Sequence, residues 1–301
     1  MVSCACHLAA PAIVHESAAI REAARRIINT KAINAGQTCM APDYILVDAK
    51  KHDELLAALT SEIREQFGDE PSASPDYGRM CSPTHYDRML DLLAKSGGRQ
   101  VRVGSAPPDR ASKYVPLTIV DEPPRSAPVL HEEIFGPLLP VLTYASVDDA
   151  VALVRAVDPT PLALYVFAQA DSATEALLEG IQSGTVVVND CVVQHLCHTL
   201  PFGGVGTSGH GVCHGRFSYE TFTYPRAVLW RSARFDIDQT VPMPLRHCSA
   251  AASPKVRPML LRLMLLYGPY FTSPRAWQLF LALAAALVAR AFALRYRLAA
   301  K

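Results

Sequence analysis

The sequence lacks an excess of either charge: 29 Lys and Arg stand against 28 Asp and Glu, leaving a net charge of +1. Such a chain offers no strong overall field, which argues against a nucleic-acid partner and against acidic substrates drawn in by charge. It also lacks the dense cysteine pattern of a small secreted framework. Its eight cysteines (Cys4, Cys6, Cys39, Cys81, Cys191, Cys197, Cys213 and Cys248) are scattered through 301 residues, and reduced intracellular thiols fit them better. Residues 1–11 have neither a basic start nor a long apolar run, so no secretory signal is read there. No internal repeat is present. What the chain does have is apolar mass, half of its residues, enough for one large domain with additions.

Residues 16–33 space Ile20, Ala24, Ile27 and Ile28 at helical intervals, with charges opposite and Ser17 as a cap, which predicts a helix delivering the chain to Asn34. Residues 44–47 read as a buried strand and residues 52–67 as an amphipathic helix ending at Gly68. Further on, residues 138–142, 165–168 and 185–188 read as strands, and residues 147–157 and 172–179 as helices. Strands alternating with helices predict an α/β domain around a largely parallel sheet flanked by helices, running to about residue 217. Residues 219–231 have the β-rich, aromatic character of an exposed strand or arm. Residues 232–258 are polar and Pro-rich, like a linker.

Chemistry concentrates first in Gly36-Gln37-Thr38-Cys39-Met40-Ala41-Pro42-Asp43-Tyr44, a glycine-bearing turn between a helix and a strand. A thiol placed there can attack a carbonyl carbon while flanking backbone N–H groups bind the resulting oxyanion. Taken alone, a single cysteine at an apolar boundary is more often a small buried hydrophobe. Two other segments stand out, His131-Glu132-Glu133-Ile134-Phe135-Gly136-Pro137 and Pro201-Phe202-Gly203-Gly204-Val205-Gly206-Thr207-Ser208-Gly209, the latter continued by Phe217-Ser218-Tyr219-Glu220-Thr221-Phe222. Each has a plain alternative: adjacent carboxylates are usually solvated surface, and glycine runs are usually flexible turns.

In this order, the three segments resemble the aldehyde dehydrogenase superfamily, in the version of its class 3, fatty aldehyde dehydrogenase branch, from about residue 11 to about residue 235. The resemblance implies an aldehyde-dehydrogenase-like catalytic domain over residues 11–217 and a strand or arm over 218–235. Residues 1–10 are unmatched, and residues 236–275 form a linker with an interfacial segment. It implies that Cys39 is the nucleophile, that Glu133 holds the nicotinamide ribose of NAD or NADP, and that Phe135 packs beside the ring. An aldehyde would be oxidised to its carboxylic acid through a thiohemiacetal and a thioester on Cys39. Asn189 matches a family asparagine near the site and reads as structural. A homodimer, or pairing with a full-length paralogue, is the expected assembly.

The sequence also departs from the family. The cofactor half with its Rossmann-like units, and the segment carrying the general-base glutamate, belong ahead of Pro11, and residues 1–10 resemble neither. Ala5 falls opposite the glutamate, and Glu16 lies past the matched Ile13-Val14. The expectation is therefore weak or absent activity from this chain alone, as a truncated gene product, a pseudoenzyme or a fragment working beside a full-length partner. A reading from another class, a non-catalytic membrane-associated scaffold or a metal-binding remnant, starts from Cys191, His195, Cys197, His198, His210, Cys213 and His214. Their spacing lacks the close cysteine pairs usual in structural zinc sites, and no metal is assigned.

Residues 276–294 are nearly all Ala, Leu, Phe and Val, broken by Gln278 and Arg290 and followed by Arg295 and Arg297. As a helix they span about 28 Å, close to the ~30 Å hydrocarbon thickness. Arg290 is near the end, where it can reach the headgroups. Residues 276–298 are thus read as a C-terminal membrane anchor, with the catalytic domain cytosolic; fatty aldehyde dehydrogenases of the resembled branch carry such an anchor, and that resemblance implies a lipid-derived aldehyde as substrate.

Overall fold

In a computed structural model of the chain, residues 9–170, 172–228 and 230 are described. Seven strands form one sheet: β1 Pro11–Val14, β2 Tyr44–Asp48, β3 Arg99–Arg102, β4 Thr118–Asp121, β5 Leu138–Tyr144, β6 Ala163–Phe167 and β7 Thr185–Val188. Their order is β3-β4-β5-β2-β1-β6-β7, parallel throughout except for the antiparallel β3–β4 edge pair. The helices are α1 Ile20–Ala32, α2 His52–Phe67, α3 Pro83–Lys95, α4 Pro128–His131, α5 Val147–Val157, α6 Ser172–Gly180 and α7 Gly215–Phe222. This is the largely parallel α/β architecture expected from the alternation of strands and helices.

The central strands are buried on both faces, which is why they read as continuous apolar runs. Alternate residues of each strand point to opposite faces. Ala12, Val14, Ile45, Val47, Leu139, Val141, Tyr165 and Phe167 pack with Ile27 and Ile28 of α1 and Leu55 and Leu59 of α2. Ile13, Tyr44, Leu46, Leu138, Leu142, Leu164 and Val166 pack with Met89 of α3, Val154 of α5 and Leu177 of α6.

Three local expectations change. Ser17 does not cap α1; its hydroxyl is hydrogen-bonded to His15 and accepts the Gln169 N–H, and the helix begins after Ala19. The arm expected over residues 218–235 starts as helix: Phe217, Tyr219 and Phe222 lie in α7, where Arg216 bonds to Glu220 four residues on and the Ser218 hydroxyl accepts the His214 N–H. β1, β3, β4 and α3, unassigned from sequence, complete the domain. Among the described residues no helix is long and apolar enough to cross a membrane; residues 236–275 and 276–298 lie outside the described residues.

Candidate active site

β2 and β5 are central neighbours and run in the same direction, so the segments that lead into them meet at one end of the sheet. Cys39 lies just ahead of β2, and Glu133 and Phe135 just ahead of β5. The chain reaches Cys39 through an unusual turn. After α1, Asn34 and Ala35 both take left-handed conformations (φ 51 and 53), followed by Gly36 at φ 74. For an alanine this conformation costs roughly 1–2 kcal/mol, so its surroundings must hold it. A β-carbon on Gly36 would lie 2.2 Å from the Gly136 carbonyl oxygen, and one on Gly78 would lie 2.9 Å from the Ala35 nitrogen. Bare backbones therefore pack the Cys39 turn against both neighbouring segments.

Gln37 fastens the turn. Its buried side chain donates to the carbonyls of Asn34 (2.7 Å) and Arg79 (3.0 Å) and accepts the Cys81 N–H (2.8 Å). On the other side the Tyr165 hydroxyl donates to the Met40 carbonyl at 2.7 Å. Cys39 is thus held in a rigid bracket, partly exposed and unpaired.

The backbone N–H groups of Cys39 and Met40 favour a charged sulfur, yet the balance goes the other way: burial, then the negative charge of Glu133, push the thiol up from its ordinary value. Glu133 is itself pushed up to about 7, by burial first and then by Asp43, with Arg88 and Lys31 opposing. Glu133 and Phe135 line an open cleft of about 350 Å³ with His85 and Arg88. Phe135, at φ 47 and 38% exposed, presents its ring at the surface. Arg88 donates to the backbone carbonyls of Glu133 and of Ile134 (2.8 Å to the latter). The structure therefore joins Cys39, Glu133 and Phe135 in one neighbourhood, with Glu133 common to the cleft and to the sulfur.

The other sequence candidates fall elsewhere. The late glycine turn follows β7 and is bound to the loop before β6: the Thr207 hydroxyl donates to Asp158 at 3.0 Å, and its N–H donates to Thr160. A β-carbon on Gly203 or Gly204 would strike the carbonyl oxygens of Gly211 or Ser208, so these glycines serve compactness. Asn189 bridges both backbone groups of Ala168 (2.9 and 2.8 Å), tying the ends of β6 and β7 together in a structural role. Glu16 is exposed and paired with Lys50, whose hydrogen bond and charge hold it below the usual range, the wrong direction for a base at neutral pH. His195, His198 and His214 share a ring cluster with Phe202. Among the described residues no group of three or more His, Cys, Asp or Glu could hold a metal ion.

Sequence reasoning did not single out Lys31, Gln37, Asp43, His85 or Arg88. A signal existed for Lys31, which continues the buried stripe of Ile20, Ala24 and Ile27, and for Asp43, which stands directly ahead of a buried strand.

The aldehyde dehydrogenase family profile matches residues 4–228. A 4,4'-diaponeurosporen-aldehyde dehydrogenase of Staphylococcus aureus is 40% identical over 226 residues, 75% of this chain and 49% of the relative. A dimeric NADP-preferring aldehyde dehydrogenase of Mus musculus is 39% identical over 225 residues, 74% of this chain and 48% of the relative. The substrate-bound structure of Staphylococcus aureus AldH superposes with a TM-score of 0.71 at 39% identity, covering 76% of this chain and 49% of that one. The chain spans about half the length of these relatives. With the profile running through the Cys39 turn, the Glu133 segment and the late glycine turn, and the first two meeting at one end of the sheet, the chain belongs to the aldehyde dehydrogenase family.

Proposed function

We propose that the chain carries the thiol half of an NAD(P)-dependent oxidation of aldehydes, lipid-derived ones in particular, to carboxylic acids. The observation that supports it most directly is the convergence of a bracketed thiol, Cys39, with a cleft lined by Glu133 and Phe135. Cys39 adds to the aldehyde carbon, and the N–H groups of Cys39 and Met40 that favour negative charge on the sulfur are placed to receive the oxygen of the thiohemiacetal.

The cleft fits one side of a nicotinamide riboside: Glu133 offers a carboxylate to a ribose diol, and the exposed Phe135 offers a face to a flat ring. When bound, the dinucleotide supplies the hydride acceptor that takes the chain-bound thiohemiacetal to the thioester. Arg88 fixes the Glu133 backbone, so the carboxylate is presented from a held segment. His85 and Arg88 complete the wall, and the Arg88 guanidinium brings positive charge to it. The described residues form this one wall, and the preference between NAD and NADP is not set by it. Residues 276–298 attach the protein to a membrane, which would place the site beside lipid-derived aldehydes, and a homodimer or a full-length paralogue is the partner this reading favours.

An activated ester tests the thiol without any dinucleotide. Incubated with p-nitrophenyl acetate, the chain should acquire an acetyl thioester on Cys39, mapped by mass spectrometry, and Cys39→Ala should lose it. Acetylation spread over the exposed Cys81, Cys197 and Cys213 with Cys39 bare would end the proposal.

A further inference from the structure

We propose that Cys81 and His85 form a nucleophilic pair apart from Cys39, a thiol with its own base, at which a small disulfide is taken up as a mixed disulfide beside the cleft. The Cys81 sulfur lies 2.9 Å from His85 Nδ1, and the Ser82 hydroxyl lies 3.1 Å from the same nitrogen. A nucleophile within reach of a base, with a third group holding the base, is the arrangement that activates side chains for covalent chemistry. Cys81 is exposed, and among the described residues it is the cysteine whose sulfur meets an imidazole. Cys213, also exposed, has its sulfur against the Phe202 carbonyl at 3.3 Å.

The pair sits on a held stretch of chain. The Met80 N–H donates to the Lys113 carbonyl at 3.0 Å, and the Cys81 N–H donates to the Gln37 side chain at 2.8 Å. Ser82 then caps α3 by accepting the His85 N–H at 3.2 Å, which fixes the imidazole in the first turn of that helix. The thiol therefore does not have to find its base. His85 is also one of the four residues lining the cleft of about 350 Å³, with Arg88, Glu133 and Phe135. That volume is within the ~300–1,000 Å³ usual for small-molecule sites. The remainder of a small thiol joined to Cys81 thus has a wall to lie against. This role goes beyond the oxidation at Cys39, since it uses a different sulfur and needs no dinucleotide.

The exchange balances without any further reagent. His85 Nδ1 takes the thiol proton as the Cys81 sulfur attacks one sulfur of the disulfide. A new S–S bond forms as the old one breaks, and the departing thiolate leaves with the bonding pair and takes the proton from the imidazolium. Cys81 is oxidised, half of the disulfide is reduced to a free thiol, and no other oxidant is consumed. Excess free thiol runs the exchange backwards and restores Cys81. While the adduct lasts it stands beside His85, on the wall shared with Glu133 and Phe135. Access to the cleft then follows the ratio of small disulfide to small thiol in the surroundings.

The test incubates the full chain with increasing glutathione disulfide and counts the adduct on each cysteine by mass spectrometry. Cys197 and Cys213, exposed like Cys81, are the internal standards. Cys81 should react at least about tenfold faster than either, a modest share of the ~10²–10⁴ that a positioned base contributes. Its rate should level off as the disulfide is raised, because the cleft binds before the sulfur reacts, while the rates at Cys197 and Cys213 rise in proportion. His85→Gln removes the base and, with Ser82, completes a capping box that keeps the start of α3. It should slow Cys81 to the rate of Cys197 and leave Cys197 and Cys213 as they were. Equal rates at the three thiols, a Cys81 rate indifferent to His85→Gln, or one that never levels off would each overturn the proposal. Should His85→Gln not fold, the rate ratio and the levelling in the unaltered chain decide alone. Acetylation of Cys39 is scored separately in Cys81→Ser, so the failure of either reading leaves the other standing.

Discussion

Gly36 and Gly136 touch backbone to backbone: a β-carbon on the first would stand 2.2 Å from the carbonyl oxygen of the second. Gly36→Ala must push these segments apart and also place alanine at φ 74. The expected loss is at least about 2 kcal/mol of stability, read as a lower urea midpoint with an unchanged slope. Gly68, also at positive φ but with open space around it, is the control, where alanine should cost only the backbone strain. Equal losses at the two positions would contradict the contact.

Gln37→Leu keeps the apolar volume but removes the three bonds by which the Gln37 side chain fastens the turn. It leaves the Cys81 N–H without its 2.8 Å acceptor and the Arg79 carbonyl without its 3.0 Å donor. A loss of about 1 kcal/mol is expected for part-buried groups left unpaired. Local hydrogen exchange at Cys81 should rise more than in α2. Unchanged protection at Cys81 would show that the bracket is held by something else.

Lys31 gives stability an uncommon dependence on pH. In the folded chain it loses its proton near 8, whereas an unfolded lysine keeps it to about 10.4. Between those values the unfolded state binds more protons, so stability rises with pH. Asp43 and Glu133, raised to about 6 and about 7, act in the opposite sense: the folded state keeps their protons longer, and stability falls as pH climbs from about 4 to about 7. These groups together predict a shallow minimum in thermal midpoint near neutral pH. Lys31→Met should abolish the alkaline limb; a midpoint rising from pH 8 to 10 in that variant would contradict the assignment.

The membrane anchor proposed for residues 276–298 makes a separate prediction. After alkaline carbonate washing the intact chain should stay with the membrane pellet, and a chain ending at Ser273 should be released. If both are released equally, the anchor and the lipid-derived substrate inferred from it fall together.

The sheet was legible where periodicity is strong. The helices at residues 52–67 and 147–157 and the strand at residues 185–188 have the bounds read from their patterns. β1, only four residues long and opening on a proline, gives too short a run to distinguish a strand from a loop. At the other end, Tyr219 and Phe222 suggested a strand by their β propensity, but the Arg216–Glu220 bond and the Ser218 contact favour a helical turn. In the site, Cys39, Glu133 and Phe135 could be named because they sit in recognisable segments. Lys31 and Asp43 were passed over because lysine and aspartate are mostly exposed, and their burial shows only once the sheet and its helices enclose them.

The strand order also dictates when the chain can complete itself during synthesis. β1 pairs with β2, which follows it closely, and with β6, which emerges only after residue 163. Until then its outer edge is an unsatisfied row of backbone donors and acceptors at the middle of the future sheet, a template for joining another chain. The Cys39 turn is likewise without its Gly136 contact until β5 is made. A ribosome pausing between β5 and β6 therefore leaves a nascent chain with the Gln37 side of the thiol bracket assembled, its Tyr165 bond still unmade and its central seam open, so slow codons in that interval should favour aggregation more than the same codons after β7.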